Sequence, residues 1–203
     1  MKKIIGMGGA VIKTGAHEHL KKNIENIEII MYNGGALFHD FQLALEGYTS
    51  VPIDELTNSL DKIKDSSLYL WDWLKGEKKA PEGSLAKFCE DKKIPTLLFT
   101  GIGCDYWQMF DDDWALIAKK SKKDLDFLKE RFQKPFHYIN MCSAVIHPEI
   151  FLKAISGIKH KEFRADVVDF LDMYRPRTRV AIYGKYYQIE VNEFMKKEFK
   201  NLK

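Results

Sequence analysis

A histidine and an aspartate stand side by side in NGGALFHDF, near the start of a predicted helix. His39 and Asp40 follow two glycines, Gly34 and Gly35, and Asn33 precedes the glycines at the end of a β-branched run. A positioned histidine can move protons to and from a substrate, and a carboxylate can orient that histidine. Neighbouring residues on a helix point about 100° apart, so only one of the two side chains can face a small ligand. The other is expected to hold a loop or cap a neighbouring helix; a purely structural role for both is the alternative.

The loop after the first apolar run combines glycines with a lysine. Gly8 and Gly9 are followed by Lys13, Thr14 and Gly15. Glycines let backbone N–H groups approach a phosphate closely, and the helix behind them adds the positive end of its dipole. The glycines do not follow the G-x-G-x-x-G spacing, so a turn that carries a surface lysine is an equally good reading.

A third glycine-containing loop places a carboxylate after a predicted strand. Thr100, Gly101 and Gly103 precede Asp105 in TGIGCD. A carboxylate beyond a strand end can hold ribose hydroxyls or a substrate ammonium group. The alternative for Asp105 is to cap the charged helix that follows. Cys104 beside it is a candidate nucleophile with no informative spacing to a histidine.

Two further segments carry polar groups that suit an anionic ligand. In the loop after the fourth apolar run, Ser143 can hydrogen-bond a phosphate or simply close the turn, and His147 is predicted to cap the next helix. Glu149 at that helix start is explained by the helix dipole. The segment YRPRTR, residues 174–179, is predicted to be extended, which would put its three arginines on one face. That face could bind phosphate or carboxylate, or pair with nearby acids.

Short apolar runs alternate with amphipathic segments along the chain. Strands are predicted within residues 3–9, 27–32, 94–103, 136–145, 165–174 and 178–189, and helices within residues 14–24, 35–47, 50–63, 66–76, 80–93, 111–132, 147–158 and 192–202, the last one capped by Asn192. This alternation predicts an α/β fold with a mostly parallel sheet flanked by helices. Ligands bind beyond the carboxyl ends of the strands in such folds, so the glycine-containing loops are expected to share one crevice.

Composition narrows the classes of function. The chain has 203 residues, a formal net charge of +3 and three cysteines. This length fits one domain, residues 1–203. Positive and negative residues are interspersed, which argues against nucleic-acid binding. The odd cysteine count and the absence of C-x-x-C spacing predict no disulfide framework and no metal site. No apolar run approaches the roughly 20 residues of a membrane span, so a cytoplasmic location is the default.

Five motifs together resemble a known family. GGAVIKTG, NGGALFHDFQLALEGYTS, TGIGCD, CSAVIHPEIFLKAI and YRPR are similar, in this order, to motifs of an uncharacterised bacterial family with the deoxyhypusine synthase-like NAD/FAD-binding fold. The resemblance covers nearly the whole chain. The element around His39 and Asp40 is also similar, more distantly, to the NAD-binding domain of ornithine-cyclodeaminase-type enzymes. The chain departs from the family in lacking a histidine after its first Gly-Ala pair and in carrying the inserted segment at 66–83. It also lacks the lysine motif on which deoxyhypusine synthase forms an imine.

The resemblance implies a Rossmann-like sheet that binds NAD at its strand ends. The function it implies is an NAD-dependent enzyme acting on a small polar metabolite, an amine or an amino acid, with His39 as the acid–base group and Asp40 or Asp105 orienting it or the substrate. The residues expected to bind the cofactor are Gly8, Gly9, Lys13, Thr14, Gly15, Asn33, Gly34, Gly35, Thr100, Gly101, Gly103 and Ser143.

The resemblance also implies a homodimer or homotetramer, because relatives with this fold assemble in that way. The aromatic segments LYLWDWL and DYWQMFDDDW fit either a core or an interface. Two other classes of function stay open. One is a nucleotide-binding or assembly protein without turnover, and the other is a hydrolase that uses Cys104, or a metal at His39 and Asp40.

Overall fold

The computed structural model describes residues 1–49 and 60–200, without the side chains of residues 199 and 200. Its centre is a six-stranded parallel sheet in the order β3-β2-β1-β4-β5-β6. The strands are β1 (Lys3–Met7), β2 (Ile27–Asn33), β3 (Thr96–Phe99), β4 (Phe136–Met141), β5 (Phe163–Asp169) and β6 (Tyr186–Gln188). The predicted α/β fold with a parallel, Rossmann-like sheet is confirmed.

Helices cover both faces of the sheet. They are α1 (Gly9–Lys13), α2 (His17–Lys22), α3 (Gly34–Glu46), α4 (Leu60–Lys75), α5 (Leu85–Asp91), α6 (Trp114–Arg131), α7 (Ile146–Ile155), α8 (Tyr174–Arg179) and α9 (Val191–Lys200), with 3-10 turns at Ile24–Asn26, Tyr106–Phe110 and Ala181–Tyr183. None of the described helices combines the length and apolar character that a membrane span requires.

The central strands are largely apolar because each of their faces is covered. Alternate residues point to opposite sides of a strand, so Ile5 and Ile30 enter the core on one face while Ile4 and Ile29 enter the core on the other. All five residues of β1 are buried. Continuous burial of this kind is what a parallel sheet with helices on both sides demands.

The direction of the strand order reverses at β1. The chain moves outward from β1 to β2 and β3, and then returns to place β4 on the other side of β1. Loops from the two halves of the sheet meet at this point. The Gly8 N–H donates to the Met141 carbonyl at 2.8 Å, and a Cβ on Gly8 would overlap the Cys142 carbonyl oxygen. Glycine at position 8 is therefore required by the contact between the ends of β1 and β4.

Two predicted helix caps and one predicted strand are wrong. His147 lies inside α7 and is buried, and Val145 stands at the cap position without a side-chain hydrogen bond. Asn192 lies inside α9, where its amide donates to the Thr14 carbonyl at 2.8 Å instead of capping the helix. The arginine segment is the helix α8, because Pro176 sits in the first helical turn, where its fixed φ suits a helix.

The helix predicted for residues 50–63 falls mostly outside the described residues. Its last four positions form the first turn of α4. The inserted aromatic segment continues the same helix to Lys75, and the glycine that follows has a φ of 80°, in the left-handed region. This fits the prediction that Gly76 ends the helix.

Because β1 and β4 approach each other closely at Gly8, a side chain at this position should destabilise the fold. Gly8→Ala should lower the free energy of unfolding by about 1–3 kcal/mol, because the new methyl group must displace backbone rather than a flexible side chain. Urea unfolding followed by tryptophan fluorescence measures the change. Gly157→Ala is the matched control, since a Cβ there meets no atom within 4 Å. Equal stabilities for the two variants would contradict this account of Gly8.

Candidate functional site

A cavity of about 270 Å³ lies at the carboxyl ends of the strands. The side chains around it come from α1, α3, α4 and the segment that follows β3. They are Lys13, Phe38, His39, Gln42, Ile63, Cys104, Asp105, Tyr106 and Trp107, together with the backbone of Gly35. Three of the residues that the sequence singled out for acid–base chemistry or phosphate binding, His39, Asp105 and Lys13, therefore share one cavity.

Helix α3 carries His39 to the wall of this cavity. The helix starts after Asn33, whose side-chain oxygen accepts from the Ala36 N–H at 2.8 Å, and it ends at Gly47, where φ is 78°. The His39 ring packs against α1, and a Cβ on Gly9 would lie only 3.0 Å from its Cδ2 atom. Gly9 thus lets α1 and α3 approach closely enough for the ring to sit between them.

The electrostatic environment keeps His39 neutral. Burial lowers the pKa of His39 to about 4, the positive charge of Lys13 acts in the same direction, and the Gln42 side chain partly opposes the shift. The Nδ1 atom is buried and has no hydrogen-bond partner among the described residues. At neutral pH the ring is therefore uncharged, and its lowered pKa makes it a weaker base than a free histidine.

The side chain of Asp40 points away from the cavity. Its carboxylate accepts hydrogen bonds from the Tyr32 hydroxyl at 2.9 Å, the Leu85 N–H at 2.8 Å and the Ala86 N–H at 2.9 Å. Burial raises the pKa of Asp40, and these three hydrogen bonds oppose the rise. His39 faces the ligand space while Asp40 caps α5 behind it, as the angular separation of helical neighbours requires.

Asp105 is held against the first turn of α3. The Thr100 hydroxyl donates to its carboxylate at 2.5 Å, and a Cβ on Gly34 would overlap both Asp105 and Thr100. Burial raises the pKa of Asp105, with the Thr100 hydrogen bond opposing. Asp105 does not cap α6, because Asp113 does so by accepting from the Leu116 N–H at 3.1 Å.

Gln108 fixes the shape of the loop that carries Asp105. Its side chain is buried. It accepts from the Gly103 N–H at 2.6 Å and donates to the Thr100 hydroxyl and the Gly101 carbonyl, both at 3.0 Å. The loop glycines therefore serve a tight turn that is closed by one amide side chain. Gly103 has a φ of 75°, which favours glycine.

The inserted aromatic helix supports the same loop from outside. The indole N–H of Trp71 donates to the Trp107 carbonyl at 3.0 Å, and the two rings meet edge to face at 5.4 Å. Lys75 forms an ion pair with Asp111. Trp71 and Trp107 are both buried, so these two aromatic residues belong to the core, whereas Tyr106 and Met109 are exposed.

Apart from Lys13 and Gly35, the residues predicted to bind a cofactor lie near the strand ends but do not line the cavity. Thr14 donates to the Ala10 carbonyl at 2.8 Å, and Gly15 makes a left-handed turn after α1. Ser143 is buried, and its hydroxyl accepts from the His147 N–H at 3.4 Å. Gly9 begins α1, so Lys13 lies at the end of a helix rather than in an extended phosphate loop.

Sequence reasoning missed several residues that line the cavity: Phe38, Gln42, Ile63, Tyr106 and Trp107. Gln42 lies three positions after His39 in α3, so helical spacing could have placed it on the same face. Ile63 comes from a segment that no motif marks, whereas Trp107 lies in the aromatic segment DYWQMFDDDW, for which the sequence predicts either a core or an interface. The three cysteines differ as well: burial raises the pKa of Cys89 and of Cys142 to about 12, whereas Cys104 is exposed in the cavity wall.

Among the described residues, no group of three or more metal-ligating side chains comes together. His39 and Asp40 point to different environments, so the geometry does not support a metal held jointly by the two.

The fold is shared with solved structures of longer proteins. A conserved LOR/SDH protein from Methanococcus maripaludis S2 matches with a TM-score of 0.69 and 18% identity over 99% of this chain and 62% of that one. AgrE in its complex with ornithine and NAD+ matches with a TM-score of 0.70 and 17% identity over 99% of this chain and 30% of AgrE. ArgZ, an arginine dihydrolase from the ornithine-ammonia cycle in cyanobacteria, matches with 0.67 and 16% over 99% of this chain and 30% of ArgZ.

The chain thus spans less than two thirds of each of these proteins. At these identities the likeness establishes the α/β fold. The narrower deoxyhypusine synthase-like assignment stays a prediction. The sequence matches no protein-family model and no curated protein.

The position of Asp40 predicts a structural phenotype. Asp40→Ala should lower the free energy of unfolding by about 3 kcal/mol, because it leaves two N–H groups and a tyrosine hydroxyl buried without their acceptor. Urea unfolding at pH 7.5 gives the value. Asp91→Ala removes an exposed carboxylate from α5, where Lys87 lies 2.6 Å away, and should cost less than about 1 kcal/mol. A loss for Asp40→Ala no larger than that of the control would rule out its anchoring role.

His147 predicts a pH dependence of stability. Burial lowers its pKa from 6.5 to about 4. The unfolded chain then binds the proton more tightly, so this contribution to stability is present above pH 6.5 and is lost as the pH falls towards 4. The expected loss between pH 7.5 and pH 5 is about 2 kcal/mol from this residue. In His147→Phe the decline of the unfolding free energy over that interval should shrink by this amount; an unchanged decline would contradict the prediction.

Proposed function

We propose that the protein is an NAD-dependent enzyme that acts on a small polar metabolite, an amine or an amino-acid-like compound. The observation that carries the proposal is that a neutral histidine, a lysine and a carboxylate share one strand-end cavity. That cavity lies where α/β folds bind their ligands. AgrE, whose complex contains ornithine and NAD+, has the same fold, and this likeness also supports the proposal.

The residues of the cavity fit part of a dinucleotide. Lys13 has no acidic partner in the described part of the chain and can bind a phosphate, while Asp105 can accept from ribose hydroxyls or a substrate ammonium group. The aromatic rings of Phe38 and Trp107 can flank a flat ring. The volume of about 270 Å³ is just below the roughly 300–1,000 Å³ of most small-molecule sites, so the cavity suits a fragment and not a whole dinucleotide.

The proposed chemistry assigns one task to each residue. NAD, when bound, supplies the acceptor for a hydride. His39 takes the proton from the hydroxyl or ammonium group of the substrate as the hydride leaves the adjacent carbon, so proton and electron pair depart to different acceptors. Asp105 orients the substrate, and Thr100 with Gln108 keeps that carboxylate in place. Asp40 acts only by holding the elements behind His39.

We also propose that the protein assembles as a homodimer or homotetramer.

Binding of NAD can be tested with the cysteine in the cavity wall as a reporter. Iodoacetamide should modify Cys104 much faster than Cys89 or Cys142, because the pKa values of those two thiols are raised to about 12. NAD at millimolar concentration should slow the modification of Cys104 by about tenfold and give a calorimetric binding signal. Mass spectrometry after proteolysis locates the label. No heat and no protection at that concentration would overturn the proposal.

Replacement of His39 separates an enzyme from a binding protein. His39→Ala should leave the NAD affinity within about threefold of the wild type. It should lower the rate of NADH production from a panel of amino acids and amines by at least about a hundredfold. Ile63→Val, a conservative change in the same cavity wall, is the control for general damage to the cavity. Unchanged turnover in His39→Ala would exclude it as the acid–base group. If Cys104→Ser loses activity while His39→Ala retains it, the result would instead favour the hydrolase that uses Cys104.

A further inference from the structure

A second, smaller cavity lies on the other side of the Thr100–Asp105 hydrogen bond. Its volume is about 170 Å³, and Thr100 belongs to its wall, whereas Asp105 belongs to the wall of the first cavity. The two spaces are therefore neighbours at the carboxyl end of β3, separated by one hydrogen-bonded pair.

The walls of the second cavity suit a flat ring. Ile150 from α7 provides apolar surface, Phe99 at the end of β3 is only 1% exposed and contributes little to the wall, and Val145 lies at the entrance before α7. A hydroxyl group comes from Ser121 on α6, because the Thr100 hydroxyl is already bonded to Asp105 and Gln108. The Ser121 hydroxyl makes only a long contact, 3.4 Å, with the Leu98 carbonyl. Apolar walls with a few polar atoms are the usual make-up of small-molecule sites. The volume of about 170 Å³ is below the roughly 300–1,000 Å³ of most such sites, so the cavity can enclose only part of a ligand, such as one ring.

The mouth of the cavity combines one carboxylate with an excess of positive charge. Glu149 lines the cavity, and its carboxylate lies 2.9 Å from Nε of Arg179, 3.3 Å from Nε of Arg175 and 3.7 Å from Nζ of Lys153. Arg175 and Arg179 are one helical turn apart in α8, which is why both reach the same carboxylate. Arg177 points elsewhere and pairs with Asp172.

This arrangement presents complementary groups to a nucleotide. The carboxylate of Glu149 is held in position by its cations and can accept from an exocyclic amino group. Three positive side chains around one negative side chain leave the mouth with two excess positive charges, which favours a phosphate just outside the ring pocket. An apolar slot, a fixed acceptor at its edge and a cationic mouth match a planar base that bears an amino group and a phosphate.

We propose that the second cavity binds the adenine nucleotide half of a dinucleotide, with the base against Ile150 and its phosphate at Arg175 and Lys153. This inference deepens the proposed NAD-dependent function and rests on it for the other half of the ligand. It also gives the arginine helix α8 a role, as the part of the chain that positions Glu149 and supplies phosphate-binding charge.

Adenosine 5′-monophosphate is the probe that tests this cavity alone. Calorimetry should show that the wild-type protein binds it, and that inosine 5′-monophosphate, which has a carbonyl in place of the amino group, binds about tenfold more weakly. Arg175→Ala should weaken binding of the adenine nucleotide by about threefold to tenfold and reduce its salt dependence. His39→Ala, in the other cavity, should leave it unchanged.

A pair of tryptophan substitutions distinguishes filling of the cavity from damage to the fold. Val145→Trp blocks the entrance at a residue that is 45% exposed, and Leu171→Trp is its control at a residue that is 54% exposed and outside the cavity. The first should weaken nucleotide binding by at least about tenfold and the second should not. Thermal melting checks that both variants fold.

The outcomes separate this inference from the proposed function. Absence of binding to the wild type at millimolar concentration, or equal binding to both tryptophan variants, would overturn the second site. If NAD binds but Val145→Trp leaves its affinity intact, the proposed function stands and the second site fails. If the adenine nucleotide binds with the predicted variant pattern but NAD does not bind, the second site stands as a mononucleotide site and the proposed function fails.

Discussion

The buried carboxylate of Asp40 is the constraint on which the candidate site depends. It receives hydrogen bonds from β2 through Tyr32 and from the first turn of α5 through two backbone N–H groups. Because α3 is anchored through this residue, its rotation about its own axis is fixed. That rotation turns the adjacent residue, His39, towards the cavity. A polar group in the core is costly unless all its hydrogen-bonding capacity is used, and here the same group that stabilises the core also aims the candidate acid–base residue.

A second set of interactions determines the shape of the strand-end loops. Gly34 leaves room for Asp105, Thr100 donates to that carboxylate, and Gln108 closes the turn between them. Several glycines that look like phosphate-binding residues in the sequence are required here by contacts within the protein. Gly8 accommodates the Cys142 carbonyl, and Gly9 accommodates the His39 ring. Their contribution to ligand binding is therefore indirect: they bring the polar side chains close together.

Much of the fold could be predicted because its signals are local. The apolar runs of β1 to β5 and the alternation with helices lead to a parallel sheet, and Gly34–Glu46 was predicted as a helix to within one residue at each end. The statement that His39 and Asp40 must face different partners also follows from helical geometry alone.

The predictions that failed depended on contacts between residues that are distant in sequence. The spacing of the arginines at every second residue predicts a strand, whereas the proline at the third helical position suits the helix that is observed. The partner of the arginine ion pairs, Glu149, lies on another element. Ile63 and Trp107 enter the cavity wall only because the inserted helix packs against the loop after β3, a contact that no local pattern encodes.

The strand order has a consequence for the way the chain reaches this structure. β1 hydrogen-bonds to β2 on one side and to β4 on the other, yet β4 begins at Phe136, long after β1. During synthesis the first three strands can assemble into a small sheet while the far edge of β1 has no neighbour. An apolar strand edge without a partner is prone to pair with other chains. Because such long-range pairing is slow, the nascent chain should pass through an aggregation-sensitive interval that ends only when β4 has emerged from the ribosome.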